Sequence, residues 1–179
     1  MIKERTEILA SGFGGQGVVR LGQIIGEAGV RQGLRVTMLK SHGTEMRGGY
    51  VRSQVVLSKD IIDSPICEAP DCFIALSGAA YNQFKRLMPR HGVILYDPAF
   101  VEEIDASLEC GQKAVPANHL SVERFSSPLY ANSLILGVVT GAVDVLDKKI
   151  VLESLLSVMP KFHDQNREAF EIGYEYLRQ

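Results

Sequence analysis

A short glycine-rich stretch near the start of the chain constrains the fold more than any other feature. Gly12, Gly14 and Gly17 fit the pattern G-x-G-x-x-G, between a short apolar run and a helical pattern that begins at Val18. Glycines suit such a turn because they allow positive φ angles and let another molecule approach the backbone. Amides at the start of the following helix form a ready site for a phosphate or carboxylate. A tight turn with no ligand is the alternative, and the motif alone leaves both open.

The second predicted strand argues against NAD as the ligand of this turn. An NAD-binding fold carries Asp or Glu roughly 20 residues beyond the glycines, where the carboxylate holds the ribose hydroxyls. Here the strand 34–39 is followed by Lys40, Ser41 and His42, with no acidic residue. A cation at Lys40 is better suited to a phosphate. The turn is therefore Rossmann-like in form, but NAD is not its expected partner.

The remaining pattern predicts one α/β domain over residues 1–179. The hydrophobic fraction is 46% and the charged fraction 22%, which is ordinary for a soluble globular chain. The helix from Val18 to about Gly33 and the strand after it predict one right-handed βαβ unit. Further short apolar runs between helical patterns predict a mostly parallel, Rossmann-like sheet. The strand 50–58 follows its predecessor after a loop too short for a crossover helix, so we expect one antiparallel strand.

The C-terminal third is predicted to be helical. Residues 132–146 are apolar on nearly every side, which predicts a deeply buried helix, and Gly137 within it allows a neighbouring element to approach closely. The last helix carries an apolar stripe that includes Phe162, Phe170 and Tyr174. We expect this stripe to serve either the core or a contact with another subunit, since it would otherwise leave an exposed apolar patch.

The loop between the second and third strands is a second candidate site. It reads K-S-H-G-T-E-M-R-G-G and has no apolar period. Open α/β sheets bind ligands at the carboxyl edge of their strands, where we expect this loop to meet the glycine turn. Arg47 could bind a phosphate or carboxylate, and Glu45 could hold Arg47 ready. A solvated turn is the alternative, and the residues alone leave both open.

Composition excludes several classes of function. The formal net charge of −2 does not indicate a nucleic-acid partner, and the most apolar stretch, 133–143, is too short to cross a membrane. Cys67, Cys72 and Cys110 are too few for a site with four thiolates, and this odd, scattered set is typical of reduced thiols in a cytoplasm. The four histidines show no metal-binding spacing. We therefore expect any redox centre to lie on another chain.

Two stretches together resemble the gamma subunit of 2-oxoacid:ferredoxin oxidoreductases. They are G-F-G-G-Q-G at 12–17 and E-M-R-G-G at 45–49, supported by A-P-D at 69–71 and A-N at 131–132. The resemblance runs from about residue 6 to about residue 177. The candidate cofactor-binding residues are Gly12, Gly14, Gly15, Gln16, Gly17, Lys40, Glu45, Arg47, Gly48 and Gly49.

The resemblance implies a role within a larger enzyme. These enzymes cleave a 2-oxoacid oxidatively with coenzyme A, which gives acyl-CoA, carbon dioxide and reduced ferredoxin. Thiamine diphosphate, Mg2+ and 4Fe-4S clusters lie on alpha and beta partners, and a ferredoxin-like delta chain can carry further clusters. The gamma chain binds none of these and helps to admit coenzyme A. The E-M-R-G-G form is most similar to enzymes for 2-oxoglutarate or branched-chain 2-oxoacids, with 2-oxoglutarate the leading substrate.

The sequence thus predicts a required subunit that is inactive alone, with a homodimer expected at most when its partners are missing. Two alternatives stay open. The chain could be an independent NADP-dependent enzyme with Lys40 near the 2′-phosphate, which dinucleotide binding by the isolated chain would indicate. It could also be an assembly scaffold in which the glycine turn only permits close packing, which tight, ligand-free association with the partners would indicate.

Overall fold

A six-stranded mixed sheet forms the centre of the computed structural model, which describes residues 4–42 and 50–178. The strands, in chain order, are β1 (Arg5–Phe13), β2 (Arg35–His42), β3 (Tyr50–Ser58), β4 (Cys72–Ala75), β5 (Val93–Tyr96) and β6 (Gly111–Ala114). Their order across the sheet is β2-β3-β1-β4-β5-β6. Strand β3 runs antiparallel to both neighbours, while β1, β4, β5 and β6 are parallel. The predicted fold class is therefore confirmed.

Six α-helices cover the sheet in the described part of the chain. They are α1 (Val18–Arg31), α2 (Gly78–Phe84), α3 (Ala117–Phe125), α4 (Ala131–Ala142), α5 (Lys148–Val158) and α6 (His163–Tyr176), with 3-10 turns at Lys85–Leu87 and Pro128–Tyr130. The larger core joins one sheet face to α1 and α4, and a smaller core joins the other face to α2. Helix α4 ends four residues before the predicted limit because the chain turns extended at Val143. The helical C-terminal third is confirmed.

The predicted βαβ unit is wrong in one respect. Strands β1 and β2 are parallel but not paired, because β3 lies between them. The alternation in β3 explains this position: Val55 and Leu57 face the larger core under α1, so the strand fills the space between its neighbours. Phe13 lies opposite Tyr50, so β1 ends where β3 begins, at the edge of the sheet where β2 also ends.

The middle of the C-terminal stripe belongs to the core of this chain, while Phe162 at its start is exposed. Phe170 is fully buried, and Gly173 packs against the backbone of α4 so closely that an added Cβ would lie 1.9 Å from the Leu134 carbonyl oxygen. Gly137 makes the reciprocal approach, as predicted, to the Phe170 carbonyl. An open subunit contact by Phe170 is therefore excluded, because packing of α6 on α4 already covers this side chain.

Candidate functional site

The glycine loop, residues 14–17, joins β1 to α1, and its glycines are required for different reasons. Gly15 and Gly17 have φ angles of +88° and +73°, which side chains rarely tolerate. Gly17 is the left-handed N-cap of α1. Gly12, at the end of β1, is required for a steric reason, because an added Cβ would lie 2.7 Å from Leu76 Cβ. The turn therefore needs glycine at these three positions for its own geometry.

Gly14 differs from the other three glycines. It is exposed, an added Cβ would meet no atom of the described chain within 4 Å, and it is not among the residues with positive φ. The described chain therefore gives no steric or conformational reason for a side chain at position 14 to strain the turn. Within residues 4–42 and 50–178, nothing requires glycine at this position, and the loop backbone here is open to approach by a ligand.

Gln16 uses its side chain to hold the loop. Its Oε1 accepts a hydrogen bond from the Phe13 backbone N–H at 2.6 Å, and its Nε2 donates to the Leu76 carbonyl at 2.7 Å. Both ends of the carboxamide are thus bound to the chain itself. The sequence motif indicated a binding residue, and the structure shows a side chain that ties the glycine loop to the end of β4.

A cavity of about 570 Å³ opens beside the glycine loop. The loop and the first turns of α1 line it, together with Leu129, Asn132 and Met159 from the C-terminal part of the chain. Most of the lining is apolar, and among the described residues that form it the charged one is Arg20, whose Nη1 lies 3.3 Å from Met159 Sδ. No described acidic side chain lines this cavity, so its electrostatic balance favours an anion.

A smaller cavity of about 280 Å³ lies on the other side of Asn132, at the carboxyl ends of β4 and β5. Asp97 lines it and is almost fully buried. Its carboxylate accepts backbone hydrogen bonds from Ala99 at 3.0 Å and Asn118 at 2.9 Å. This carboxylate therefore serves the local backbone, which leaves the first cavity as the better candidate for an anionic ligand.

Asn132 lines both cavities, and it is not among the binding residues that the sequence predicts. Its side chain packs on Gly17, where an added Cβ would lie 2.0 Å from Asn132 Nδ2. The sequence signal was A-N at the start of a buried helix, which alone does not reveal the distant glycine beside it. The helix that opens at Ala131 thus brings a carboxamide to the start of α1.

The structure does not bring Lys40 to these cavities. Lys40 is an exposed residue of β2, and it pairs in register with Ser53 of β3 rather than with β1. The candidates Glu45, Arg47, Gly48 and Gly49 lie outside the described residues. Because β2 ends and β3 begins beside the end of β1, the described strands agree with the expected edge for that loop.

The cysteines behave as packed thiols. Burial raises the pKa of Cys67 to about 12, with the Glu7 carboxylate adding to the effect, and burial likewise raises the pKa of Cys72 to about 12. Across residues 4–42 and 50–178, no three His, Cys, Asp or Glu side chains lie together as metal ligands. In the same part of the chain, no helix has the length and apolar character needed to cross a membrane.

Comparison with known proteins identifies the family. The family model described as pyruvate ferredoxin/flavodoxin oxidoreductase matches residues 7–176. The chain is 32% identical to 2-oxoglutarate synthase subunit KorC of Methanocaldococcus jannaschii, across 99% of this chain and 97% of that protein.

Solved structures agree with this result. A keto/oxoacid ferredoxin oxidoreductase gamma subunit from Geobacter sulfurreducens matches with a TM-score of 0.84 and 28% identity, over 95% of this chain and 96% of that chain. The 2-oxoglutarate:ferredoxin oxidoreductase from Magnetococcus marinus, with 2-oxoglutarate, coenzyme A and succinyl-CoA bound, matches with a TM-score of 0.87 and 26% identity, over 98% of this chain but 31% of that longer chain. The resemblance read from the two loops is confirmed, and the chain belongs to the pyruvate ferredoxin/flavodoxin oxidoreductase family as a subunit of the gamma type.

Proposed function

We propose that this chain is the gamma subunit of a 2-oxoglutarate:ferredoxin oxidoreductase and that its glycine loop contributes to the coenzyme A site. The relative from Methanocaldococcus jannaschii supports the substrate, because the likeness extends over nearly the full length of both proteins. The Magnetococcus marinus structure supports the ligand, since coenzyme A is bound there in an enzyme that contains the same fold.

The observation that carries the proposal is the combination of an open Gly14 with a cavity that has no described acidic lining. Coenzyme A presents a pyrophosphate and a further phosphate, which need backbone amides and cations. Helix α1 begins at the left-handed Gly17 with no side-chain cap and no acidic residue in its first turn. Its first amides, together with the positive end of the helix dipole, therefore suit a phosphate at this place.

The apolar remainder of the cavity suits the uncharged part of such a ligand. Val18, Leu21 and Ile24 line it from α1, while Leu155 and Met159 line it from the C-terminal helices. Apolar walls would exclude water around a bound phosphate and so strengthen its hydrogen bonds. In this arrangement the chain binds and orients coenzyme A, while Arg47 stays a predicted cation for its phosphates.

The redox chemistry is proposed to take place on partner chains. Thiamine diphosphate and Mg2+ would supply carbanion chemistry, and iron–sulfur clusters electron transfer, on the alpha, beta and delta subunits. The described residues of this chain fit that division, because the thiols of Cys67 and Cys72 are buried and their pKa is raised to about 12. What this chain contributes is a mostly apolar wall and amide donors for the acyl acceptor.

The close packing of Gly12 on Leu76 and of Gly17 on Asn132 favours a second function, in which the turn is only a packing device. Gly14 separates the two functions because nothing in the described chain requires it. Dinucleotide binding by the isolated chain is the corresponding test of the NADP-dependent alternative.

The test is the substitution Gly14→Val in the reconstituted complex, with subunit content verified first. The valine side chain would keep a phosphate away from the loop amides, and a lost hydrogen bond to a charged group typically costs about 10-fold or more in affinity. We therefore expect the Michaelis constant for coenzyme A to rise at least about 10-fold, while the Michaelis constant for 2-oxoglutarate stays nearly unchanged. Gly111→Val is the matched control, because Gly111 is exposed on β6, where an added Cβ makes only ordinary contacts. Normal assembly with unaltered coenzyme A dependence would replace this proposal with the scaffold function.

A further inference from the structure

Two carboxamide side chains flank the glycine loop, and they differ in what they bind. Gln16 uses its oxygen and its nitrogen in hydrogen bonds to Phe13 and Leu76. The carboxamide of Asn132 has no hydrogen-bond partner anywhere in residues 4–42 and 50–178 and lines both cavities. One amide thus holds the loop in shape, and the other remains available to a molecule that occupies the site.

The position of Asn132 is held by the buried part of α4. The next residue, Ser133, is 2% exposed and its Oγ donates to Asn166 Oδ1 at 2.7 Å. Further along, α4 packs backbone to backbone on α6 through Gly137. A side chain in the first turn of such a helix is well placed for binding, because the scaffold rather than the ligand bears the cost of positioning it.

Gly17 makes room for this side chain. Its missing Cβ would lie 2.0 Å from Asn132 Nδ2, so any other residue at position 17 would displace the amide. The carboxamide therefore lies directly at the N-cap of α1, where the glycine loop opens onto the first cavity. The sequence pattern G-x-G-x-x-G thus has a second purpose in this chain, which is to admit a side chain from α4.

We infer that Asn132 is a coenzyme A-binding residue whose Nδ2 donates a hydrogen bond to a phosphate oxygen at the glycine loop. This inference rests on the proposed function. The charge of the cavity supports an anionic acceptor, since Arg20 is the charged residue among its described lining. A neutral amide adds a donor there without the desolvation cost of burying a cation.

The decisive variant is Asn132→Asp, because it should maintain or raise the stability of the fold while it weakens coenzyme A binding. A carboxylate at the start of α1 and in the first turn of α4 interacts favourably with both helix dipoles, so the melting temperature of the full chain should hold or rise. The same carboxylate removes the donor and repels a phosphate. We therefore expect the Michaelis constant for coenzyme A in the assembled enzyme to rise about 10- to 150-fold, with little change for 2-oxoglutarate.

Asn132→Ala and Asn82→Asp complete the experiment. The alanine variant removes the donor without adding charge, so it should show a smaller rise for coenzyme A. Asn82 is exposed on α2, on the opposite face of the sheet, and Asn82→Asp should leave the coenzyme A dependence unaltered.

The outcomes distinguish this inference from the proposed function. If Gly14→Val raises the Michaelis constant for coenzyme A but Asn132→Ala, normally assembled, does not, the site stands and Asn132 is not part of it. If neither variant changes coenzyme A dependence, both proposals are wrong. A fall in melting temperature of Asn132→Asp with equal changes for both substrates would show a purely structural residue and overturn the inference.

Discussion

Single residues around the glycine loop have separable physical roles. Gly15 and Gly17 supply backbone conformations, Gly12 supplies space, and Gln16 supplies two hydrogen bonds that hold the turn. Among the loop glycines, Gly14 alone has neither a positive φ angle nor a close contact in residues 4–42 and 50–178. Stability and ligand binding can therefore be examined through different residues of one short motif.

Gly17→Ala tests the conformational role. A left-handed backbone costs a non-glycine residue about 1–2 kcal/mol, and the added methyl group would also displace the Asn132 carboxamide. We expect the free energy of unfolding to fall by at least about 1 kcal/mol in urea denaturation. Gly14→Ala is the control and should change it by less than about 0.5 kcal/mol. Equal stabilities of the two variants would contradict the assignment.

At the scale of elements, the contact between α4 and α6 holds the site in place. The two helices approach so closely that Gly137 faces the backbone of α6 and Gly173 faces the backbone of α4. Because α4 also presents Asn132, a shift of this helix pair would move one wall of the cavity. The C-terminal helix thus acts on the site through packing, although none of its residues lines the cavity beside the glycine loop.

Gly173→Ala tests this contact. The added Cβ would lie 1.9 Å from the Leu134 carbonyl oxygen, and a backbone atom cannot move aside without separating the helices. We expect a loss of about 3 kcal/mol or more in free energy of unfolding. Gly141→Ala is the matched control, since its added Cβ would lie 3.2 Å from the Tyr174 carbonyl and the gain in helix propensity offsets a small adjustment. A Gly173 variant as stable as the Gly141 variant would contradict the packing argument.

For the whole molecule, the structure changes the reason to expect partners. Phe170 lies in the core, so this residue does not require a second chain to cover it. Leu129 at the rim of the cavity is 67% exposed, and Phe162 of the C-terminal stripe is 56% exposed. The proposal that partners are needed now rests on the relatives, which are named as subunits of 2-oxoacid oxidoreductases.

The purified chain alone should be colourless and should not reduce a viologen dye with 2-oxoglutarate and coenzyme A. Co-expression with alpha and beta chains should give one co-eluting complex that performs the reaction. Iron measured in the lone chain, or dye reduction by it, would contradict the proposal that the redox centres lie on partner chains. A stable monomer that never co-purifies with the other chains would contradict the proposed assembly.

Much of this protein is determined by local sequence. The strand 50–58 was predicted to the residue, because the alternation of apolar and polar residues reports which side chains are buried. The glycine turn and the start of α1 at Val18 were likewise readable, since a turn's conformational demands lie within a few residues. The family also followed from two short motifs.

The tertiary structure alone decided what those motifs contact. The insertion of β3 between β1 and β2, the bond from Gln16 to Leu76 and the packing of Asn132 on Gly17 all join residues distant along the chain. The burial of Phe170 depends in the same way on a facing helix. Periodicity along a chain shows that a side chain is buried, but only the packed fold determines which residues bury it. For the same reason, only the fold distinguishes a loop residue that holds the turn from one that is free to bind a ligand.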